Sequence, residues 1–200
     1  MDKEKIYSAN QIAQWFINRS AMDVDMFFGE YMTNMKLQKL LYLAQCLSYA
    51  IKDKPLFKEK IQAWEFGPVV PNIYHTYKVL RANIIQDVNP VEIDDETATL
   101  LEFAYEKFGK YSAKELVKMT HNHKAYKKNY IENEKNIEIP QADIKAEFEE
   151  SKESLKKSFK SNYNTLSDYA ETCYVNSVPE LKNRLSADDD LVEVDWKNDL

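Results

Sequence analysis

Two stretches decide the fold: Met35-Lys36-Leu37-Gln38-Lys39-Leu40-Leu41-Tyr42-Leu43-Ala44, and Ala63-Trp64-Glu65-Phe66-Gly67-Pro68-Val69-Val70-Pro71-Asn72-Ile73-Tyr74. In the first, Leu37, Leu40, Leu41, Ala44, Leu47 and Ile51 recur at spacings of three and four, which predicts a helix with one buried face. Thr33 is placed to cap it, and Lys54-Pro55 ends it near Ile51. This helix is expected at the centre of the core. The second stretch cannot run as a regular helix. Pro68 and Pro71 each lack an N–H and push the preceding residue out of the helical region. Gly67 can take backbone angles closed to other residues. Trp64 and Phe66 bracket the turn, so the reading is a rigid, aromatic-pinned corner between two helices.

Outward from this pair the chain reads as more helices. Ser8 can cap a first helix through about Asn18, with Ile12, Trp15, Phe16 and Arg19 on one stripe and a polar back. Ser20 to Thr33 is a connector. Phe57 to Phe66 holds a short extended piece. A helix is expected from about Pro71, where proline is tolerated in the first turn, with Tyr74 and Tyr77 on one face. Asp94 or Asp95 caps a helix through about Phe108, with Leu100, Leu101, Ala104 and Phe108 as its stripe, and Gly109 stops it. Ser112-Ala113-Lys114-Glu115 is a capping box that starts a short helix bearing Leu116, Val117 and Thr120. Past Pro140, Ala142 to about Tyr174 reads as one or two charged helices. The expected fold class is mostly α: a compact helical bundle with one or two short extended pieces, then a helical and acidic C-terminal extension. A division into residues 1–135 and 136–200 follows, the second part packed on the first.

Composition narrows the function. Three glycines in 200 residues argue against a barrel or sandwich rich in tight turns. The formal net charge of −6 argues against general nucleic-acid binding. The charge is uneven: Lys107 to Lys128 is basic, and the end of the chain (Asp188, Asp189, Asp190, Glu193, Asp195, Asp199) is acidic. The two cysteines, Cys46 and Cys173, read as reduced thiols. No apolar run is long enough to span a membrane, and Met1-Asp2-Lys3-Glu4-Lys5 lacks the apolar core of a signal peptide, so the expected location is the cytoplasm. Gly-x-Ser-x-Gly and glycine-rich phosphate loops are absent from the sequence. The histidines His75, His121 and His123 show no metal-ligand spacing, so neither a metal nor a cofactor is expected.

The order Lys-Leu-Gln-Lys-Leu-Leu-Tyr, then Ala-Trp-x-x-Gly-Pro-Val-x-Pro-x-x-Tyr, then Ser-Ala-x-x-Leu and Thr-His resembles the Panacea domain family, which includes SocA-like antitoxins and GepA-like phage-associated proteins. The resemblance spans about Ser8 to Tyr130. It implies a mostly helical, non-enzymatic domain that binds and neutralises a toxin encoded beside it. The family usually carries a tryptophan soon after the Thr-His histidine; here Tyr126 stands nearby. The tail from Val175 through Trp196 looks like the ends of Phd/YefM-type antitoxins, without their glycine-methionine pair.

Four candidate sites follow, each with a plain alternative. Lys36, Gln38 and Lys39, with Tyr42 in the same motif, are either a solvated face or residues that hold the Gly-Pro corner or touch a partner. Trp64, Gly67, Pro68, Pro71 and Tyr74 are either a fixed turn with an aromatic core anchor or the wall of a partner-binding groove, where tryptophan and tyrosine excel. His121 reads as a hydrogen-bonded structural residue. Leu191, Val194 and Trp196, flanked by acids, are either solvated or a segment that docks on a basic partner. The expected function is an antitoxin whose partner is a cognate toxin. The alternatives are a proteolytic adaptor that delivers a toxin to an ATP-dependent protease, and, ranked lower, a phage-associated DNA-binding regulator.

Overall fold

The structure is a computed structural model that describes the backbone of residues 6–24 and 32–174, with side chains through residue 168. Eight α-helices and one hairpin order these residues: α1 (Ala9–Val24), α2 (Asn34–Lys52), β1 (Gln62–Trp64), β2 (Gly67–Val69), α3 (Pro71–Tyr77), α4 (Asp95–Phe108), α5 (Ala113–His121), α6 (Lys124–Asn129), α7 (Gln141–Ala146) and α8 (Lys152–Tyr174). The mostly helical fold expected from the sequence is the fold observed.

Helix α2 is the axle. Thr33 caps it by accepting a hydrogen bond from the Lys36 N–H, and Asp53 ends it in the left-handed region at φ 56°. It packs against α1, α3, α4, α5, α7, α8 and β2. Leu37, Leu40, Leu41, Ala44 and Leu47 are fully buried, but so are Lys36, Gln38, Lys39, Tyr42 and Gln45. The helix therefore has no solvated side along this run, and the reading of Lys36-Gln38-Lys39 as a solvated face is overturned. A helix surrounded by neighbours must satisfy its polar groups inside the protein.

Helix α1 departs from expectation in two ways. It runs on to Val24, past Asn18, and it has no broad polar back: Gln14, Asn18 and Ser20 are buried with Ile12, Trp15 and Phe16. Its polar groups find partners across the core. Gln14 and Asn18 donate to the Asp87 and Asn89 carbonyls, and Arg19 Nε donates to both oxygens of Glu102 at 3.0 and 2.9 Å. Burial pushes the Glu102 carboxyl up even though Arg19 draws it down. Ser8 caps the helix with Gln11, each bonding the other's backbone N–H. Helix α4 starts at an Asp94 cap and ends at Gly109, as read. The reason for Gly109 differs from the usual left-handed cap, since its φ is −62°. A Cβ there would sit 2.7 Å from the Tyr105 carbonyl oxygen, so glycine is needed for closeness.

The chain beyond residue 135 closes back on this core. The Ala63 N–H donates to the Ile137 carbonyl and the Ile139 N–H to the Ile61 carbonyl, so residues 137–139 run beside β1. Helix α8 lies along α4, with Phe159 edge-on to Phe103 at 5.5 Å. Ile139, Ile144, Leu155, Phe159 and Leu166 join the same apolar cluster as Trp15 and Leu40.

Removing one half of the buried Arg19–Glu102 pair leaves an uncompensated charge. Arg19→Met is expected to cost about 3–5 kcal/mol, while Arg19→Met with Glu102→Met recovers most of it. Urea denaturation midpoints decide this; a double variant no more stable than the single one contradicts the reading.

Candidate functional site

The corner is a tight antiparallel hairpin. Gln62 pairs with Val69, Ala63 with Pro68 and Trp64 with Gly67, leaving Glu65-Phe66 as the turn. Gly67 sits at φ +95°, outside the range of other residues. The outer edge of β2 has few free donors because Pro68 has no N–H, and what remains is taken up by α2. Lys39 Nζ donates to the Pro68 carbonyl at 2.9 Å, and the Val70 N–H donates to Gln38 Oε1 at 2.9 Å. Gln38 Nε2 in turn donates to Asn34 Oδ1, and Asn34 Nδ2 to the Tyr74 carbonyl in α3. The polar residues of the α2 motif thus hold the corner. Asn34 is the member the sequence reading missed; its signal was its place four residues before Gln38 on the same helical row.

The turn is also tied from α6. The Tyr126 hydroxyl donates to the Trp64 carbonyl at 2.8 Å and lies 3.4 Å from the Glu65 carbonyl. The His121 and Tyr126 rings stack at 4.7 Å, nearly parallel. Burial, with the nearby Lys39 charge, pushes the His121 pKa down, so the ring is neutral at pH 7. The His121 ring packs on Tyr126 and its buried Nε2 has no hydrogen-bond partner among the described residues, while Thr120 bonds the Leu116 and Val117 carbonyls below it.

Lys39 is the unusual group. It is wholly buried, no carboxylate pairs with it among the described residues, and burial pushes its pKa down to about 7. Its ammonium lies so close under Gly67 that an added Cβ would be 2.9 Å from Nζ and 3.0 Å from Thr120 Oγ1. Lys36 is also fully buried; the Glu115 carboxyl of the α5 capping box is held below its usual range by hydrogen bonds from the Ser112 N–H and hydroxyl, with small additions from Lys118 and Lys36.

The aromatic side of the corner faces out. Trp64 and Tyr74 are half-buried and meet edge to face at 4.9 Å; His75 is exposed and 6.2 Å from Trp64. Phe66 is half-buried and Glu65 exposed. Trp64 is therefore not a core anchor; that role belongs to Trp15, Phe16, Tyr42 and Phe57. Pro71 stands in the first turn of α3. Tyr42 belongs to a different place. Its hydroxyl is 3.1 Å from His123 Nδ1, which is 3.6 Å from Glu147, and Glu147 also accepts from the Lys124 and Ala125 N–H groups that open α6. Leu191, Val194 and Trp196 lie outside the described residues.

Two outcomes check the geometry. Gly67→Ala is expected to cost about 2 kcal/mol or more, because it combines a forbidden φ with overlap on Lys39, read by thermal or urea unfolding. Lys39 gives a pH signature. Its folded pKa lies near 7 and its unfolded value near 10.5. Between these the unfolded chain binds more protons, so this group makes stability rise with pH. The stability of the wild type minus that of Lys39→Met should therefore climb from pH 7 to pH 9, by at most about 1.4 kcal/mol per unit. A flat difference contradicts the buried, unpaired placement.

Comparison with known proteins then converges on the motifs. Residues 37–127 match the family model described as "Antitoxin SocA-like, Panacea domain". Among curated proteins, Antitoxin SocA of Caulobacter vibrioides (strain NA1000 / CB15N) is 28% identical over 102 residues. That match covers 44% of this chain and 54% of the relative, so the chain spans only about half the length of the relative it matches. No solved structure matches the chain. The central segment of this chain, from Leu37 on α2 through Lys127 on α6, is thus the part that matches the SocA-like Panacea domain, and it holds the whole clamped corner.

Proposed function

We propose that this protein is an antitoxin that neutralises a cognate toxin by direct binding, with the Gly-Pro corner as its main contact surface. One observation carries the reading: the turn backbone is tied from beneath by Lys39, Gln38 and Tyr126, while the Trp64 and Tyr74 rings are half-exposed beside it. A surface held in one shape before binding loses little entropy when a partner docks. Tryptophan and tyrosine are the side chains that most often dominate protein interfaces. The polar groups Gln38 and Lys39 of α2 are consumed by the fold, so their role is to position the aromatic face. The printed name of the 28% identical relative, Antitoxin SocA, supports the same role. Binding is the proposed activity, with no reaction, cofactor or metal. Among the described residues no helix is long and apolar enough to cross a membrane, and no group of acids, histidines and cysteines is gathered for a metal. The acidic end of the chain, with Leu191, Val194 and Trp196, is proposed as a second contact that complements a basic toxin.

The test is co-expression with the product of the adjacent open reading frame, scored by growth and co-purification. The wild type is expected to rescue growth and form a stable complex. Trp64→Ala is expected to weaken the complex at least about tenfold, the scale of a hot-spot residue, with its thermal midpoint little changed because Trp64 lies outside the core. Rescue by Trp64→Ala equal to wild type contradicts the corner as the contact surface. Rescue without a complex, with protease-dependent loss of the toxin, contradicts direct neutralisation and supports the adaptor.

A further inference from the structure

Gln62 and Trp64 lie two residues apart on β1, so their side chains share one face of the strand. The Trp64 indole Nε1–H donates to Gln62 Oε1 at 2.9 Å. An indole nitrogen can only donate, and this one is spent. Trp64 meets Tyr74 edge to face at 4.9 Å, and His75 lies 6.2 Å from Trp64 and 5.5 Å from Tyr74. The ring is thus held at its nitrogen by Gln62 and along its carbon surface by two rings of α3. Across the strand pair Trp64 faces Gly67, which has no side chain to pin it. Gln62 supplies the hold that the opposite strand lacks.

The hairpin offers no ladder for a partner strand to extend. On the β1 side the Ala63 N–H donates to the Ile137 carbonyl, and the Ile61 carbonyl accepts from the Ile139 N–H. On the β2 side Pro68 has no N–H, its carbonyl accepts from Lys39, and the Val70 N–H is taken by Gln38. The Trp64 carbonyl accepts from Tyr126. What Trp64 has left for a partner is the part of its carbon surface that stays exposed. Glu65 in the turn is exposed and screened by water, whereas Lys39 lies buried under Gly67, so a partner cation gains little there. Apolar side chains cover carbon surface favourably without either charge.

We propose that Gln62 is a positioning residue of the corner: it withdraws the indole N–H and fixes the Trp64 ring against Tyr74 and His75, so that the partner protein packs an apolar side chain on the ring and takes neither a hydrogen bond from it nor a strand place beside it. A ring fixed beforehand loses little rotamer freedom when the partner arrives. The inference rests on the corner being the contact surface.

The first arm of the test uses the free chain. The Trp64 indole N–H, identified by its loss from the nitrogen–proton correlation spectrum in Trp64→Ala, is expected to exchange with solvent severalfold more slowly in wild type and Gln62→Glu than in Gln62→Met, which keeps the length of the side chain and removes the acceptor. Equal rates overturn the hold. The second arm measures affinity for the product of the adjacent open reading frame by calorimetry. Gln62→Met is expected to weaken binding about threefold or more, and Gln62→Glu to restore it, with thermal midpoints unchanged. A tighter complex in Gln62→Met means that the partner competes for the indole N–H, and overturns the proposal. Binding by Trp64→Ala equal to wild type removes the corner reading and this inference together; weak binding by Trp64→Ala beside unchanged binding by Gln62→Met removes this inference alone. The loss in Trp64→Ala is expected to be the same at low salt and at roughly 0.5 M salt, since a loss that shrinks with salt puts a cation on the ring and overturns the apolar contact. The Ala63 and Val70 amides are expected to be protected already in the free chain; protection that arises only in the complex assigns strand addition and overturns the mode.

Discussion

One lysine on one carbonyl sets the geometry of the rest. Lys39 leaves the central helix, crosses under Gly67 and donates a hydrogen bond to the Pro68 oxygen, with no carboxylate paired to it among the described residues. A charged lysine so placed is costly in isolation. It persists because the hairpin needs a donor at that point and because the surrounding packing fixes both ends. The two prolines create the need. They stop the segment from becoming helix, remove two donors from its edge and leave carbonyls that no neighbouring strand reaches. Gln38 meets the one N–H that remains at Val70. The fit of α2 to the Gly-Pro corner is therefore one of mutual satisfaction: α2 is polar where the corner is bare, and Gly67 is bare where α2 is bulky.

This arrangement separates two jobs that a single motif seems to mix. Beneath the turn, Lys39, Gln38, Asn34 and Tyr126 fix backbone. Above it, Trp64, Phe66, Tyr74 and His75 make surface. Mutations in the first set act through stability and shape; those in the second act on whatever touches the corner. The Tyr42–His123–Glu147 contacts form a third group, which ties α2 and α6 to the chain that follows the matched segment.

Much of this was legible in the sequence. The caps at Thr33 and Ser112, the proline start of α3, the limits of α4 and the buried run of α2 all follow from local rules, and the structure has them. The misses share one cause. Periodicity finds an apolar face but says nothing of the opposite one, so the polar residues of α1 and α2 read as solvent-facing. They are buried because neighbouring elements close over both sides, which is a property of topology and of long-range partners: Asp87 and Asn89 for Gln14 and Asn18, Pro68 for Lys39. Trp64 erred in the other direction. Size alone suggested a core anchor, whereas the hairpin turn carries it to the surface. His121 was expected to be hydrogen-bonded; it stacks on Tyr126 instead, and it is Tyr126 that serves the Trp64 carbonyl.

The central claim is that the corner is a prebuilt docking face. Hydrogen exchange on this chain mixed with the product of the adjacent open reading frame, the proposed partner, tests it most directly. The account predicts added protection at residues 64–67 and 72–76, with little change in the already protected amides of α2. Unchanged exchange across the corner, with new protection confined to another face, would contradict it.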